Sequence, residues 1–485
     1  HPSMAEVKYV HQDFAFEAVD LDKGVFRVIN RQYFSNTDDF SFKYNITENG
    51  KVIEESALPV SLNPQQSAEV TIPLNKVTPK AGVEYFINFE VIRMKAIELI
   101  PANYVVAIEQ YKLPVEAPKG VFADNSKNPE LKINEQGNTI DVKSSKVNFT
   151  FDKKSGIVTS YKVRGTEYFN KGFGIQPNFW RAPNDNDYGN GNPNRLQVWK
   201  ESSKNFNVTD AKAVKDGDNV VLEVNYLLAA GNLFTVTYNI NPSGIVKVDV
   251  EFHSTEMEAK DIDASEATLT ATYSPEAAAA RKTSSGIEVP RIGVRFRLPV
   301  SMNKVEYFGR GPGENYIDRA SGSKVGLYNT TAEDMYFPYV RPQENGHRTD
   351  TRWVALRDKA GLMVVADETI GFNALRNSIE DFDSEENTNR PYQWNNFSSE
   401  EIAAKNDADA KNKKPRQTHI NDITPRDFVE VCVDMKQQGV AGYNSWGARP
   451  LPEYSIPANN NYKWGFTLVP VRDNKDVEEK SKLKY

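Results

Sequence analysis

The feature that most narrows what this chain can fold into is a period of two in its apolar residues, which recurs along most of its length. Alternation puts successive side chains on opposite faces of a strand, so a chain written this way builds sheets with one face buried. In Asp39-Phe-Ser-Phe-Lys-Tyr-Asn-Ile46 the residues Phe40, Phe42, Tyr44 and Ile46 share a face, and Asn49-Gly50 supplies residues that tolerate the positive φ of a hairpin turn. Further strands are predicted over 69–74, 85–93 and 104–113, preceded by 13–19 and 25–30. About seven short strands separated by turn signals are the pattern of an immunoglobulin-like β-sandwich, here placed at residues 1–117.

The prolines of Leu113-Pro-Val-Glu-Ala-Pro-Lys-Gly120 and the polar run Asp124-Asn-Ser-Lys-Asn-Pro129 mark residues 118–137 as a linker. Beyond it alternation resumes. Phe234, Val236, Tyr238 and Ile240 share one face, Asn241-Pro-Ser-Gly244 turns, and Val246, Val248, Val250 and Phe252 return. Residues 138–472 show no second linker of this kind, so one large antiparallel β-sandwich is expected there, followed by a charged tail at 473–485. Two segments break the rhythm, 274–280 and 399–410, and both read as short surface helices, the second with Ser398 or Ser399 available as N-cap.

Lys and Arg total 59 against 66 Asp and Glu, a formal charge of −7, and neither sign gathers into a block, which argues against a nucleic-acid or membrane-surface partner. No stretch approaches the roughly 18 consecutive apolar residues of a membrane helix, and the first residues lack the basic and apolar regions of a signal peptide. The compartment is left open between bacterial cytoplasm and periplasm. A start at His1-Pro2 with the first Met at position 4 reads as the middle of a longer polypeptide, although proteolysis or a cloning boundary would look the same. Cys432 is the single cysteine and lies in the apolar run Phe428-Val-Glu-Val-Cys-Val433, as a buried hydrophobe would.

Motifs for nucleophile elbows, phosphate loops and zinc sites are missing. The five histidines are His1, His11, His253, His347 and His419, and His253 continues the polar phase of Lys247, Asp249 and Glu251, as an exposed strand residue would. The chemistry-bearing residues gather instead in four loops. The first is Asn178-Phe-Trp-Arg-Ala-Pro-Asn-Asp-Asn-Asp-Tyr-Gly189, where Arg181, Asn184 and Asp185 can bind hydroxyls or cross-link one another. The second, Tyr307-Phe-Gly-Arg-Gly-Pro-Gly-Glu-Asn-Tyr-Ile-Asp-Arg319, offers Arg310, Glu314 and Asn315 for a ligand or for buried ion pairing. The third runs from Asp334 to Asp350 and carries Glu344, Asn345 and His347. In the fourth, Gly442-Tyr-Asn-Ser-Trp-Gly-Ala-Arg-Pro-Leu-Pro-Glu453, no alternation buries Trp446, so its indole can present a flat apolar face to a sugar ring beside Asn444 and Ser445.

At these loops the sequence resembles the C-terminal part of the large lacZ-type bacterial β-galactosidases, a glycoside hydrolase family. The resembling runs are Phe179-Trp-Arg-Ala-Pro-Asn-Asp-Asn-Asp187, Gly309-Arg-Gly-Pro-Gly-Glu-Asn-Tyr-Ile-Asp-Arg319, Asp334-Met-Tyr336, Pro342-Gln-Glu-Asn-Gly346 and Asn444-Ser-Trp446, in the same order and spacing. The resemblance implies an immunoglobulin-like domain followed by a large sandwich similar to galactose mutarotase. Family members also carry a sugar-binding jelly roll, another immunoglobulin-like domain and a catalytic (β/α)8 barrel, whose two glutamates hydrolyse β-galactosides with retention. Neither those glutamates nor the alternating strands and helices of a barrel occur here, so this chain alone is expected to be inactive, with no catalytic residue, metal or cofactor of its own.

Its implied partners are the barrel, as a domain or as a separate subunit, and a β-galactoside held in a shared site, with homo-oligomers left open. Trp446 is the residue the resemblance carries over as a substrate platform, while Asn at 444, where some relatives have Asp, puts any charge-dependent role there in doubt. Two other readings are a stand-alone galactoside-binding module and an aldose epimerase. An epimerase needs an acid and a base on opposite sides of the sugar, whereas Glu344 and His347 share one short loop.

Overall fold

Seven antiparallel strands build the first unit: β1 (Phe14–Asp20), β2 (Val25–Asn30), β3 (Phe40–Glu48), β4 (Lys51–Ala57), β5 (Ser67–Thr71), β6 (Tyr85–Arg93) and β7 (Tyr104–Lys112). They form two sheets, ordered β1-β2-β5 and β4-β3-β6-β7, in a computed structural model that describes residues 1–123, 127–254, 288–383, 419–444 and 447–485. The hairpin of β3 and β4 turns at Asn49 and Gly50, both with positive φ, as the dipeptide predicts. The strand expected over 69–74 stops at Thr71 instead, just ahead of Pro73, which has no N–H to give a ladder.

Alternation decides what lies between the sheets. Phe14 and Phe16 from β1 meet Phe40, Phe42 and Phe89, with Phe16 stacked on Phe89 at 4.5 Å. Each such ring contributes about 1.5–3 kcal/mol by leaving water. A helix at Met4–Val10, which the period-two reading does not anticipate, lies ahead of β1 and buries none of its residues.

In the second unit, five strands from Lys132–Gln136 to Thr166–Glu167 form one sheet, into whose core Leu131 already packs. The other sheet has twelve strands. Its main path runs from Gln176–Asn178 through Arg291–Pro299, Phe428–Gln437, Gly361–Leu375 and Tyr462–Val471 to Val246–His253, and on to the edge strand Phe206–Asp216. Strands Arg348–Arg357, Lys304–Gly311 and Lys324–Thr331 branch from Gly361–Leu375. The two sheets face each other across one core, where Phe149 lies 5.3 Å from Tyr238 and the Tyr161 hydroxyl donates to the Gly244 carbonyl. Gly244 has φ +95°, and a Cβ there would strike Val163, so the turn read at Asn241-Pro-Ser-Gly244 needs its glycine.

The first part of Gly361–Leu375 is buried on both faces. Leu362, Val364 and Ala366 enter the large core, whereas Met363 and Val365 join Phe308, Trp353, Val469 and Val471 on the opposite face. Phe86 of β6 covers that face from the first unit, so the two sandwiches share an apolar contact. Polar ties flank it: Arg352 pairs with Glu84 at 2.6 Å, and the Gln110 side chain both donates to and accepts from the Val325 backbone.

The segment read as a charged tail is docked. Its helix Asn474–Lys480 is capped by Asp473, Leu483–Lys484 pairs in parallel with Gly120–Val121, and Tyr485 stacks on Phe122 at 5.3 Å. Closely spaced charge hides two apolar anchors of this tail, Val477, which is buried, and Tyr485, which with Phe122 packs against the shared contact. Both segments read as surface helices lie outside the described residues. Among the described residues, no helix is long and apolar enough to cross a membrane.

Candidate functional site

Arg181 is almost fully buried and organises the first loop. Its Nε and Nη2 fork onto the Asp187 carboxylate at 3.1 and 2.8 Å, while Nη1 and Nη2 reach the carbonyls of Gln438 and Gly439 at 2.5 and 2.9 Å. Asp187 belongs to a short helix, Asp185–Gly189, in a segment the sequence presents as a loop. Asn184 caps that helix, accepting from the Asp187 N–H, and donates its own amide to Val440. Asp185 faces solvent and pairs with Arg341 at 2.7 Å. The loop's polar groups are thus spent mainly on one another and on backbone 438–440.

The second and third loops interlock in the same way. Glu314 is buried, takes Arg319 at 2.5 Å on one oxygen together with the Tyr339 hydroxyl, and takes the Gly346 N–H at 2.8 Å on the other. Asn315 is fully buried, donating to the carbonyls of Arg310 and Gly313 and accepting from both groups of Thr349. Arg310 binds Asp350 through Nε and Nη2 at 3.2 and 2.7 Å. Asn345 accepts from the Phe337 N–H and donates to the Gln343 carbonyl.

Behind these loops lies a buried charged group that sequence reasoning missed in part. Arg291 and Asp434 are completely inaccessible, and Glu344 and His347 nearly so. Arg291 Nη2 lies 3.3 Å from Glu344, and its Nε lies 3.2 Å from Asp434 without the alignment of a hydrogen bond, so that contact is Coulombic. His347 Nδ1 is 3.7 Å from the same Asp434 oxygen, and its ring stacks on Tyr316 at 5.3 Å.

Burial pushes Asp434 up to about 7 against the opposing pull of Arg291, and raises Glu344 in the same way. Burial, reinforced by Arg291, Arg348 and Arg181, holds His347 well below the usual histidine range, so its imidazole is neutral. Burial likewise raises the Cys432 thiol and keeps it protonated, the reverse of what a nucleophile needs. Among the described residues, no three His, Cys, Asp or Glu side chains gather as a metal ion would require.

The fourth loop closes on the first. The Ala448 N–H donates to the Asn444 side-chain oxygen at 3.3 Å, bridging a pair of residues, Ser445 and Trp446, that lie outside the described residues. Gly447 has φ +108°, and a Cβ there would come within 2.4 Å of the Gly189 carbonyl oxygen. Gly447→Ala is therefore expected to cost about 1–3 kcal/mol through backbone strain and contact. Thermal melts should show it, and an unchanged melting temperature would contradict the packing of this loop on helix Asp185–Gly189. Val340, Tyr443 and Leu451 stand exposed on these loops, at 83%, 71% and 46%.

The signal for Arg291 and Asp434 is present but ambiguous. Arg291, Arg295 and Arg297 alternate along one strand, and Glu430, Cys432 and Asp434 along its neighbour, with Arg295 opposite Cys432 and Arg297 opposite Glu430. A polar phase of this kind usually marks a solvent face.

An immunoglobulin-like sandwich joined to a large antiparallel sandwich, with polar loops locked together at one place, defines the class. Residues 143–468 match the family model described as beta galactosidase small chain, and residues 26–114 match that of beta-galactosidase, domain 4. The chain belongs to the β-galactosidase small-chain family. It is 29% identical over 476 residues to a β-galactosidase of Priestia megaterium, covering 97% of this chain and 40% of that protein. With a β-galactosidase of Pseudoalteromonas haloplanktis the identity is 22%, covering 97% of this chain and 41% of the relative. The chain thus spans about 40% of the length of the curated relatives it matches. Among solved structures it is similar to a galactose 1-epimerase from Lactobacillus acidophilus, with a TM-score of 0.31 and 7% identity, covering 71% of this chain and 99% of that one.

Proposed function

We propose that this chain is the C-terminal, non-catalytic region of a β-galactosidase, which braces the catalytic barrel and lends Trp446 to the substrate as an apolar platform. The observation that carries the reading is the lopsided coverage: nearly all of this chain aligns with β-galactosidases, yet it accounts for only 40% of their length. The acids of the candidate site support it. Retaining hydrolysis uses two carboxyl groups about 5–5.5 Å apart that both reach the glycosidic bond. Here Glu314, Glu344 and Asp434 are each shut from solvent beside an arginine. The exposed Tyr443 and Leu451, on the loop that carries position 446, and Val340 on the third loop suit a surface that meets a second domain.

A chromogenic β-galactoside tests this. The purified chain alone is expected to give no turnover, and mixing with a barrel-bearing fragment to restore it. Trp446→Ala is expected to lower the restored kcat/KM by about tenfold or more, the loss of one stacked aromatic contact. Turnover by the chain alone would overturn the non-catalytic assignment, and unchanged kinetics in the variant would remove Trp446 from the site. The matched family's description as a small chain favours a second arrangement, in which the barrel sits on a separate polypeptide. The reading frame upstream of His1 separates the two.

A further inference from the structure

Where the first sandwich meets the second there is a cleft of about 400 Å³, within the ~300–1,000 Å³ of small-molecule sites. Strand β7 and the ring of Phe86 form one wall, and Arg310, Lys324, Asp350 and Arg352 belong to the other. Its electrostatics are unusual for an open crevice, because nearly every charge is already matched. Arg352 and Lys112 share Glu84 at 2.6 and 2.7 Å, Lys112 also holds Glu116, and Arg310 holds Asp350. A phosphate or sulfate entering here would find its cations committed to carboxylates.

Hydrogen-bonding capacity remains in excess nonetheless. Arg310 Nε and Nη2 both go to the same Asp350 oxygen, Oδ2, which leaves Oδ1 of a side chain that is 42% exposed. The nearest carboxylate to Lys324 Nζ is Glu90, at 3.7 Å, beyond hydrogen-bonding range. Burial holds Lys324 below the usual lysine range despite that neighbour, so its ammonium gains from another acceptor. Ser321 and Ser323 add hydroxyls, and half-buried Ile108 adds apolar surface, whereas Phe86 and Val325 are buried. Asp350 itself is held at φ +53°, a left-handed conformation uncommon for a non-glycine residue and enriched at ligand sites.

We propose that this inter-sandwich cleft binds a neutral polyhydroxylated ligand of mono- or disaccharide size, with Asp350 and Lys324 as acceptor and donor to its hydroxyls and Ile108 against its C–H face. Adjacent hydroxyls both give and accept hydrogen bonds, which is what a charge-balanced wall of fixed donors and acceptors recognises. The proposal does not depend on the chain's role in a β-galactosidase, since it uses none of the residues of loop 442–448.

The test is saturation-transfer NMR and titration calorimetry on the 485-residue chain with galactose, lactose, sulfate and succinate. Ser321→Trp should fill the cleft from an exposed position and abolish sugar binding. Asp350→Asn, which tolerates the left-handed backbone, should weaken it about tenfold or more by removing the charged acceptor. Thermal melts of both variants should stay near the parent's. Sugar binding that is lost in Ser321→Trp and weakened in Asp350→Asn, but kept in Trp446→Ala, is the expected result. Sugar signals unaffected by both cleft substitutions, a preference for sulfate or succinate, or no binding of any probe would each overturn the proposal.

Discussion

Replacing Arg291 by methionine is expected to destabilise the chain by about 3–5 kcal/mol, the cost of leaving buried charge uncompensated. The guanidinium stands between Asp434 and Glu344, both sealed from water, and burial works against its own charge. The two carboxylates outweigh that penalty and keep it protonated. Methionine fills much of the same volume, so the loss reports the stranded acids rather than a cavity. Adding Asp434→Asn to Arg291→Met should recover part of the loss, because one stranded charge then becomes a neutral amide. Urea unfolding at about pH 9, where Asp434 is ionised in the parent chain, measures both steps. A loss under about 1 kcal/mol for the single variant, or no recovery in the double, would show that this group is hydrated rather than dry.

The same residues set a pH dependence that the wild type conceals. Asp434 rises from 3.8 when exposed to about 7 when folded, so between those values the folded chain holds a proton that the unfolded chain has released. Stability from this group is full below about pH 4 and falls as pH rises through 7, at roughly 1.4 kcal/mol per pH unit. His347 acts in the opposite direction. Its folded value lies well below 6.5, so the unfolded chain binds the extra proton, and its contribution is present above 6.5 and lost as pH falls.

The two slopes oppose each other over roughly pH 4–6.5. Asp434→Asn should therefore make the slope of stability against pH more positive, by about 1.4 kcal/mol per unit in that window. His347→Asn should make it more negative by a similar amount, with the raised Glu344 acting in the same direction as Asp434. Denaturant midpoints collected from pH 4.5 to 7.5 on the three proteins test both signs. Parallel curves would mean that neither group is buried in the state that unfolds.

Much of the fold is legible in local chemistry. A strand that buries one face against water on the other must alternate, and β2 and β3 do so with enough contrast to be read directly. Turns such as Asn49-Gly50 and Asn241-Pro-Ser-Gly244 are legible because few residues accept their backbone angles. The helices Met4–Val10 and Asp185–Gly189 are not, since each is too short to show a 3.6-residue period. The four polar loops were found by their composition. Only their packing shows that Arg181, Asn184, Glu314 and Asn315 hold one another and the backbone in place.

His253 and Arg291 mark the limit of such reading. Both sit on the polar phase of an alternating strand, and the local pattern treats them alike. His253, with Lys247, Asp249 and Glu251, keeps that face toward solvent, as expected. Arg291, opposite the strand of Glu430 and Asp434, is covered, because other parts of the chain fold over its face. Period, turn chemistry and order of elements are properties of neighbours in sequence, and they settle that the chain is two β-sandwiches. Which polar face stays wet depends on segments more than a hundred residues away, and that alone turns an ordinary arginine into the counter-ion of a buried acid.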